Sequence, residues 1–329
     1  MATAAQVKAL VESHGTGDGA RFNAVALEVA DSAARSGRTR YADELRDLVE
    51  NAGTGARPPS TPAGAAAVLQ PRGELARVLT VEQPTARLTD MALSAEVLRR
   101  VQRVLAEQRR QETLRAHGFR PLRKLILAGP AGTGKTMTAA VLAGELQLPL
   151  LSVRLDALAD APAEEAADRL RLVFDLMGQA RGVYLFDDVD VLVQTTAEGA
   201  AGGRPTGLLC TFLTFVDEDA SPSPLVVTTN RQQLLDRNVL RRFDALVQYL
   251  LPSTGVVHEI VQGRLRTFDL TAVEWPRIAS TASGLSHEEI TAAADLAAKQ
   301  SLLEGREHVE TAALLAALRE RRELLKLAP

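Results

Sequence analysis

The stretch GPAGTGKT at residues 129–136 decides the fold class of this chain. It matches the pattern G-x-x-x-x-G-K-[ST] at every fixed position, follows the apolar run KLILA (124–128) and opens the helical pattern KTMTAAVLAGEL (135–146). Glycines in such a loop let backbone N–H groups point inward around phosphate groups at the N-terminus of a helix. A strand, a glycine-rich loop and a helix in this order therefore predict a phosphate-binding loop.

The residues of this loop have separate predicted tasks. Lys135, expected as a surface cation before nucleotide binds, should reach the β- and γ-phosphates of ATP, and the Thr136 hydroxyl should complete a site for Mg²⁺. The alternative is a structural turn followed by a surface lysine. The residues predicted to contact the nucleotide are Gly129, Pro130, Ala131, Gly132, Thr133, Gly134, Lys135, Thr136 and Met137.

Polar residues follow two further apolar runs. The run VYLFDDVD (183–190) ends in acids, of which Asp187 is the predicted partner of Mg²⁺ and Asp188 the candidate that orients or deprotonates the attacking water. Asn230 follows LVVTT (225–229), in the crevice where open sheets bind ligands, and could hold that water. Acidic turns after strands are common and Asn also favours turns, so both signals depend on the loop upstream.

Two adjacent arginines, Arg241 and Arg242, precede the apolar run ALVQYLL (245–251). Guanidinium groups suit the recognition of phosphate, so these residues could insert into the site of a neighbouring subunit. Paired arginines are more often solvated, and only the order of the surrounding motifs favours the functional interpretation.

Short apolar runs alternate with helical patterns from Leu122 onward, which predicts an α/β fold with a five-stranded parallel sheet covered on both faces. Upstream of the sheet, Ser94 should cap a helix that Gly118 ends. After Pro252 the strand signals end, and a small helical cap is predicted. Its helical patterns lie around residues 255–267, 286–302 and 309–325.

Composition changes mark the predicted domains. Residues 1–51 have helical periodicity, and 52–75 form a Pro/Gly/Ala-rich segment that buries too little apolar surface to order itself. The chain is therefore predicted to contain a small N-terminal helical domain (1–51), a linker (52–75), an α/β nucleotide-binding domain (76–252) and a helical lid (253–329).

The overall composition restricts the partners and the compartment. A net charge of −3 and a pI near 6.0 do not favour nucleic acid or anionic membrane, and no run of apolar residues is long enough to span a membrane. Cys210, the single cysteine, lies in GLLCTFLTF (207–215) and is predicted to be a core residue; its solitude is consistent with a reducing cytoplasm. Abundant Ala and Arg suggest a GC-rich bacterial genome.

The phosphate loop, the acidic strand end, Asn230, the segment LRRFD (240–244) and the helical cap together resemble the AAA ATPases. The resemblance covers Thr89 to Leu325 and is strongest to stand-alone bacterial members of the spastin and FtsH-like clade. It implies a P-loop NTPase core with strand order 5-1-4-3-2, a hexameric ring that binds ATP and Mg²⁺ and releases ADP, and remodelling of a protein partner. The N-terminal domain would recruit that partner, for example a protease encoded nearby.

The resemblance also assigns roles to individual residues. Asn230 corresponds to sensor 1, and Arg241 and Arg242 occupy the arginine-finger positions. GLSHEE (284–289), beginning with Gly284, corresponds to the start of the lid helix that lies over the nucleotide; Ser286 and Glu289 also form a local capping box.

This sequence departs from the family in three segments, one of which is the Gly-rich and almost uncharged VQTTAEGAAGGRPTG (193–207), where relatives carry charged residues. Asp187–Asp188 replaces the usual Asp-Glu pair, which predicts slow hydrolysis, and ALADAPAEEAAD (157–168) stands where an aromatic pore loop is expected. An alternative function is therefore an ATP-dependent scaffold or switch that hydrolyses little and regulates a partner protease. A DNA-acting loader is disfavoured by the negative charge and by the absence of basic patches with aromatic residues.

Overall fold

The structure, a computed structural model, describes residues 73–194, 207–231 and 235–327, besides the isolated positions Val25, Val29, Ser32 and Pro71. The chain divides into two units, Met1–Ala67 and Val68–Pro329. Apart from these isolated positions, the predicted N-terminal domain and most of the predicted linker lie outside the described residues. The helices and strands below belong to the second unit and are numbered in chain order over its described part.

A six-stranded sheet forms the centre of this unit. Its strands are β1 (Leu79–Glu82), β2 (Lys124–Ala128), β3 (Leu150–Val153), β4 (Val183–Phe186), β5 (Leu225–Thr229) and β6 (Ala245–Gln248). The order across the sheet is β1-β3-β4-β5-β2-β6, and every neighbouring pair is parallel except β1 and β3. The five parallel strands have the predicted order 5-1-4-3-2, so that prediction is confirmed.

The antiparallel strand β1 at the sheet edge was not predicted. Its residues Leu79 and Val81 point to the covered face and alternate with the exposed Thr80 and Glu82. Four residues give too short a period-2 signal to distinguish a strand from a loop. The strand is instead defined by its pairing with β3, from Leu79 opposite Val153 to Glu82 opposite Leu150.

Helices cover both faces of the sheet. Those of the second unit's α/β part are α1 (Glu74–Val78), α2 (Ala95–Arg109), α3 (Gln111–Ala116), α4 (Lys135–Leu146), α5 (Leu155–Ala159), α6 (Ala163–Gln179), α7 (Val191–Gln194), α8 (Gly207–Glu218) and α9 (Arg237–Leu240). Ser94 caps α2 as predicted, accepting a hydrogen bond from the Val97 N–H. The predicted single helix up to Gly118 is instead two helices, divided at Arg110.

Residues alternate between two cores along the central strands, as strand geometry requires. Tyr184 and Phe186 of β4 pack under α6 and α8, whereas Val183 and Leu185 face α2 and α4. Phe186 is fully buried, and burial of such a side chain contributes roughly 1.5–3 kcal/mol. The two cores fix the register of the sheet and therefore the positions of its strand ends.

Four helices follow the sheet and enclose a core of their own. They are α10 (Thr254–Arg264), α11 (Trp275–Ala282), α12 (His287–Leu303) and α13 (Thr311–Leu327). The sequence predicted three of them; α11 was missed because it has only eight residues and Pro276 lies in its first turn. Among the residues that the structure describes, no helix is long and apolar enough to cross a membrane.

Candidate nucleotide-binding site

The topology of the sheet brings three predicted motifs together. Strand β5 lies between β4 and β2, so the residues that follow these three strands are neighbours at one edge of the sheet. These residues are Asn230 after β5, Asp187 after β4 and Gly129 after β2. The Gly129 N–H donates to the Thr229 carbonyl at 3.2 Å, which joins the phosphate loop directly to the strand that ends in Asn230.

Glycine is required at two positions of the phosphate loop. A Cβ at Gly129 would lie 2.3 Å from the Tyr249 carbonyl oxygen. At Gly132, where φ is 69°, it would lie 2.6 Å from Ser286 Oγ. Neither position accepts a side chain, and a positive φ adds strain for any residue other than glycine. At these two positions the loop therefore presents only backbone near the N-terminus of α4, as a cradle for phosphate groups requires.

Lys135 is buried, so the expectation of a surface cation was wrong. Its side chain is 6% exposed, and Nζ donates to the carbonyls of Gly129 at 2.9 Å and Pro130 at 2.8 Å and to Asn230 Oδ1 at 2.7 Å. Burial lowers the pKa of Lys135, against the opposing effect of Asp188 and the other nearby carboxylates. Carbonyl dipoles of the protein hold the ammonium in the place where phosphate oxygens would compete for it.

Two side chains could hold a divalent cation. The Thr136 hydroxyl lies 3.0 Å from both carboxylate oxygens of Asp187, and Thr228 Oγ1 donates to Asp187 Oδ1 at 2.6 Å. Hydroxyl and carboxylate oxygens are the ligands that Mg²⁺ prefers, with the remaining positions left to water and phosphate. The structure thus brings together the two residues that the sequence assigned to the metal.

Asp188 and Asn230 also meet. The Asn230 side-chain amide donates to Asp188 Oδ1 at 2.6 Å, while its oxygen accepts from Lys135, so one side chain joins the lysine to the second acid. The backbone of Asp188 is left-handed, with φ of 53°, and its N–H donates to Thr228 Oγ1 at 2.8 Å. Partial burial, with Asp187 and Asp190 nearby, raises the pKa of Asp188, and Lys135 and the hydrogen bond from Asn230 oppose this shift.

Two supporting residues, Thr228 and Asp190, were not predicted from the sequence. Buried Asp190 accepts the Asn230 backbone N–H at 2.9 Å and the Thr229 hydroxyl, and thereby holds the end of β5 against the loop after β4. Thr228 contacts both Asp187 and Asp188. In the sequence, Asp190 is the third acid of DDVD and Thr228 is one of two hydroxyl residues in VVTTN. Only the pairing of β4 with β5 shows that these side chains support the site.

The beginning of α12 lies against the phosphate loop. The Glu288 N–H donates to the Gly132 carbonyl at 3.0 Å, and Gly284 takes the left-handed conformation, with φ of 85°, in the turn that precedes the helix. Ser286 caps the helix by accepting from the Glu289 N–H at 3.3 Å. The predicted reciprocal bond is absent, because the Glu289 carboxylate binds Arg321 at 2.6 Å instead.

Other predicted site residues have different surroundings. Thr133 is fully buried and donates to the Pro130 carbonyl at 2.8 Å, so its side chain stabilises the loop. Met137 is 41% exposed on α4. Arg241 is exposed, whereas Arg242 is half-buried with Nε 3.3 Å from Asp217 Oδ2 of its own chain. Neither arginine is brought to the phosphate loop of its own chain by these contacts.

Part of this chain matches one protein family, and several known proteins are similar to it. Residues 125–250 match the family described as ATPase family associated with various cellular activities (AAA). An uncharacterized AAA family ATPase of Sinorhizobium fredii is 28% identical over 310 residues, covering 94% of this chain and 92% of that protein. ATP-dependent zinc metalloprotease FtsH 1 of Symbiobacterium thermophilum is 34% identical over 191 residues, covering 56% of this chain. Nuclear valosin-containing protein-like of Mus musculus is 29% identical over 212 residues.

The extent of these matches differs. The chain spans 92% of the Sinorhizobium protein but only 32% of FtsH 1 and 25% of the mouse protein, so the similarity to the last two concerns only part of each protein. The matched residues 125–250 contain the phosphate loop, the paired Thr136 and Asp187, and Asn230. Residues 125–250 therefore match the AAA ATPase family, within a fold that has a mostly parallel sheet and a set of helices C-terminal to it.

Proposed function

We propose that this protein binds ATP with Mg²⁺, assembles into a homo-oligomeric ring, a hexamer, and couples slow ATP hydrolysis to the remodelling or regulation of a protein partner. The observation that carries the proposal is the pair formed by Thr136 and both carboxylate oxygens of Asp187, beside a lysine that Asn230 links to a second acid. These are the side chains that phosphoryl transfer needs: a cation for the phosphates, ligands for a metal, and polar groups that orient water.

The residues of the site would have separate roles in ATP hydrolysis. Lys135 would exchange its carbonyl partners for phosphate oxygens, and Thr136 and Asp187 would hold Mg²⁺. Bound Mg²⁺ would neutralise part of the phosphate charge. Asn230 and Asp188, hydrogen-bonded to each other, would orient the attacking water, and Asp188 would accept its proton. An arginine of a neighbouring subunit would stabilise the charge that develops during transfer.

Residues 1–51 are the proposed recruiting segment for the partner. FtsH 1 is an ATP-dependent zinc metalloprotease, and this chain aligns with 32% of it. We propose that this protein is a bacterial relative of the spastin and FtsH-like clade and that a protease is a candidate partner. Affinity capture with a variant trapped in the ATP-bound state would identify the partner.

Phosphate release measured with and without Mg²⁺ tests the proposed activity. Turnover should require Mg²⁺, ATP and an intact Thr136, and Thr136→Val should remove it while leaving α4 folded. Turnover that is unchanged by removal of the metal would contradict the assignment of Thr136 and Asp187.

Asp188→Glu should increase kcat. The Asp188 carboxylate is one methylene shorter than that of Glu, and a displacement of about 1 Å of a catalytic group can cost on the order of 10²-fold in rate. The left-handed backbone at this position favours Asp over Glu, so the gain should come with a small loss of thermal stability. Steady-state phosphate release would measure the change, with Asp188→Asn as the inactive control of equal size. A slower Glu variant would mean that the loop is built around Asp.

The second candidate function is an ATP-dependent scaffold or switch with little hydrolysis. Asp188 and the segment 157–168 favour it, because this segment, which forms parts of α5 and α6 and their connection, contains no aromatic residue. The two candidates differ in measured turnover: a switch should release less than one phosphate per subunit while it remains assembled, and a remodelling ATPase should turn over continuously.

The protein should not unfold a tagged, stably folded substrate. Gripping an extended polypeptide needs side chains with a large contact area and low entropy cost, which aromatic residues supply. Residues 157–168 offer Ala, Leu, Pro and acids, and those acids would repel acidic substrates. Loss of fluorescence from a tagged fluorescent protein in the presence of ATP is the measurement, and an FtsH protein serves as the positive control. Observed unfolding would contradict this prediction.

A further inference from the structure

A cleft lies at the end of the sheet opposite the phosphate loop. It has a volume of about 470 Å³ and lies between the C-terminal parts of α6 and α8 and the connection to β5. The helix α6 ends just before β4 and the connection leads into β5, so the cleft borders the amino ends of these strands, whereas the nucleotide site borders their carboxyl ends. None of its lining residues belongs to the phosphate loop or its acids.

Two aromatic rings form the apolar wall of the cleft. Phe174 and Phe215 have ring centroids 5.5 Å apart, and the guanidinium of Arg171 lies 5.1 Å from the Phe215 centroid. Phe215 is 8% exposed and Phe174 is partly buried. Aromatic faces attract cations because the ring quadrupole is negative above its plane, and Arg171 shows this attraction at one edge of the cleft.

Ser221 places an unpaired hydroxyl in the wall of the cleft. The residue is only 7% exposed, and its Oγ has no hydrogen-bond partner in the part of the chain that the structure describes. A buried polar atom without a partner is unfavourable, so such an atom usually has a water or a ligand beside it. The hydroxyl can accept a hydrogen bond from a donor that enters the cleft.

Gly178 keeps the cleft open. It lies in the last turn of α6 with a helical backbone, and a Cβ at this position would meet no atom within 4 Å. No contact within the described residues requires a glycine here, and glycine in a helix is less stable than alanine. The space beside Gly178 is therefore open to a group that enters the cleft, and a single methyl group would fill little of it.

The charges around the cleft favour a cation. Asp175 and Glu218 line it, and neither forms a hydrogen bond or an ion pair with any described residue. Asp219, by contrast, is occupied by Arg123. With Arg171 the three unpaired side chains carry one net negative charge. The C-terminal ends of α6 and α8, at Gln179 and Glu218, add the negative ends of two helix dipoles.

We propose that this cleft binds a basic side chain, lysine or arginine, presented by a protein partner. The aliphatic stem would lie along Phe174 and beside Gly178, and the charged group would reach Asp175, Glu218 and the free hydroxyl of Ser221. The cleft is a docking surface for a protein that carries an exposed basic residue, and it is independent of the nucleotide site.

Nuclear magnetic resonance of the isotopically labelled full chain tests the proposal. The probes are the N-acetyl amides of arginine and lysine, with those of norleucine and glutamate as neutral and acidic controls. Both basic probes should give saturable shifts of the Gly178, Ala220 and Ser221 amides, and the controls should not. The stronger of the two basic probes distinguishes a guanidinium site from an ammonium site.

Three variants sharpen the test. Gly178→Trp should fill the cleft and weaken binding by more than about tenfold, whereas Gly178→Ala, the matched control, should bind within about twofold of the parent and unfold at a higher temperature. Asp175→Asn combined with Glu218→Gln should also weaken binding by about tenfold, and this surface variant keeps the test valid if the Trp variant does not fold.

Three results would overturn the proposal. One is the absence of saturable shifts at probe concentrations up to about 100 mM. Another is equal binding of the norleucine or glutamate probe at the same amides. The third is binding of the basic probes that the charge-removing double variant leaves unchanged.

Discussion

Lys135→Ala should abolish tight binding of ATP. In the structure the Lys135 ammonium donates hydrogen bonds to three oxygen atoms of the protein. A bound nucleotide would replace these partners with its phosphate oxygens. Each charge-assisted hydrogen bond contributes ~1.5–3 kcal/mol, so the loss of two should weaken binding by at least about 10²-fold. Isothermal titration calorimetry with ATP and with ADP is the measurement.

The burial of Lys135 changes what is expected of the fold in this variant. Truncation leaves the carbonyls of Gly129 and Pro130 and the Asn230 side chain without their donor, at a cost of about 1–3 kcal/mol unless water enters. The variant should therefore fold but melt at a lower temperature. Lys124→Ala is the matched control, since this lysine is also buried but lies at the amino end of β2. Unchanged ATP affinity in Lys135→Ala would contradict the assignment of the loop.

Exchange of Arg241 and Arg242 for alanine should reduce ATP turnover without removing ATP binding. An arginine supplied by a neighbouring subunit contributes roughly 10³–10⁵ in rate, so monomers should be nearly inactive. Specific activity should consequently rise steeply with protein concentration near the assembly threshold. Arg237→Ala, which changes an exposed arginine of the preceding helix α9, is the control that should keep full activity.

Mixing of variants tests whether the arginines act between subunits. Double-arginine subunits keep an intact phosphate loop, and Lys135→Ala subunits keep intact arginines, so sites with both features reappear where the two types are neighbours. Some activity should return, and neither variant alone should show it. Co-assembly has to be demonstrated first by size-exclusion chromatography with light scattering. Concentration-independent turnover, or no recovery in mixed assemblies, would mean that the arginines act within their own subunit.

The structure also distinguishes the two arginines. Arg242 is held near Asp217 in its own chain, whereas Arg241 is exposed. Arg241→Ala should therefore account for most of the loss of turnover. Arg242→Ala should lower the melting temperature more than Arg241→Ala, because it leaves Asp217 without its ion pair. Single-variant turnover and thermal unfolding measure these effects.

The parts of the site that were predictable from sequence have strong local signals. The loop 129–136 combines fixed glycines, a lysine and a hydroxyl with a strand before it and a helix after it, and these features together are specific for a phosphate-binding loop. The order of the parallel strands followed from the family resemblance and not from periodicity, which identifies strands but not their neighbours.

The features that sequence analysis missed depend on contacts across the fold. Lys135 is buried because Asn230, distant in sequence, accepts its hydrogen bond. Cys210 was predicted to be a core residue and is exposed. Helical spacing places residue 210 outside the buried stripe of α8, which consists of Leu209, Phe212, Leu213, Phe215 and Val216. An apolar run alone does not reveal which of its residues face the sheet.

The hydrogen bond from the Glu288 N–H to the Gly132 carbonyl has a consequence for the tolerance of this protein to sequence change. Helix geometry leaves the first N–H groups of α12 without partners inside the helix, and one of them is used here to join the helix to the phosphate loop. Every amino acid except proline carries that N–H. The connection between the C-terminal helices and the loop is therefore retained through almost any substitution at residue 288, so the side chain there is free to diverge while the mechanical link persists.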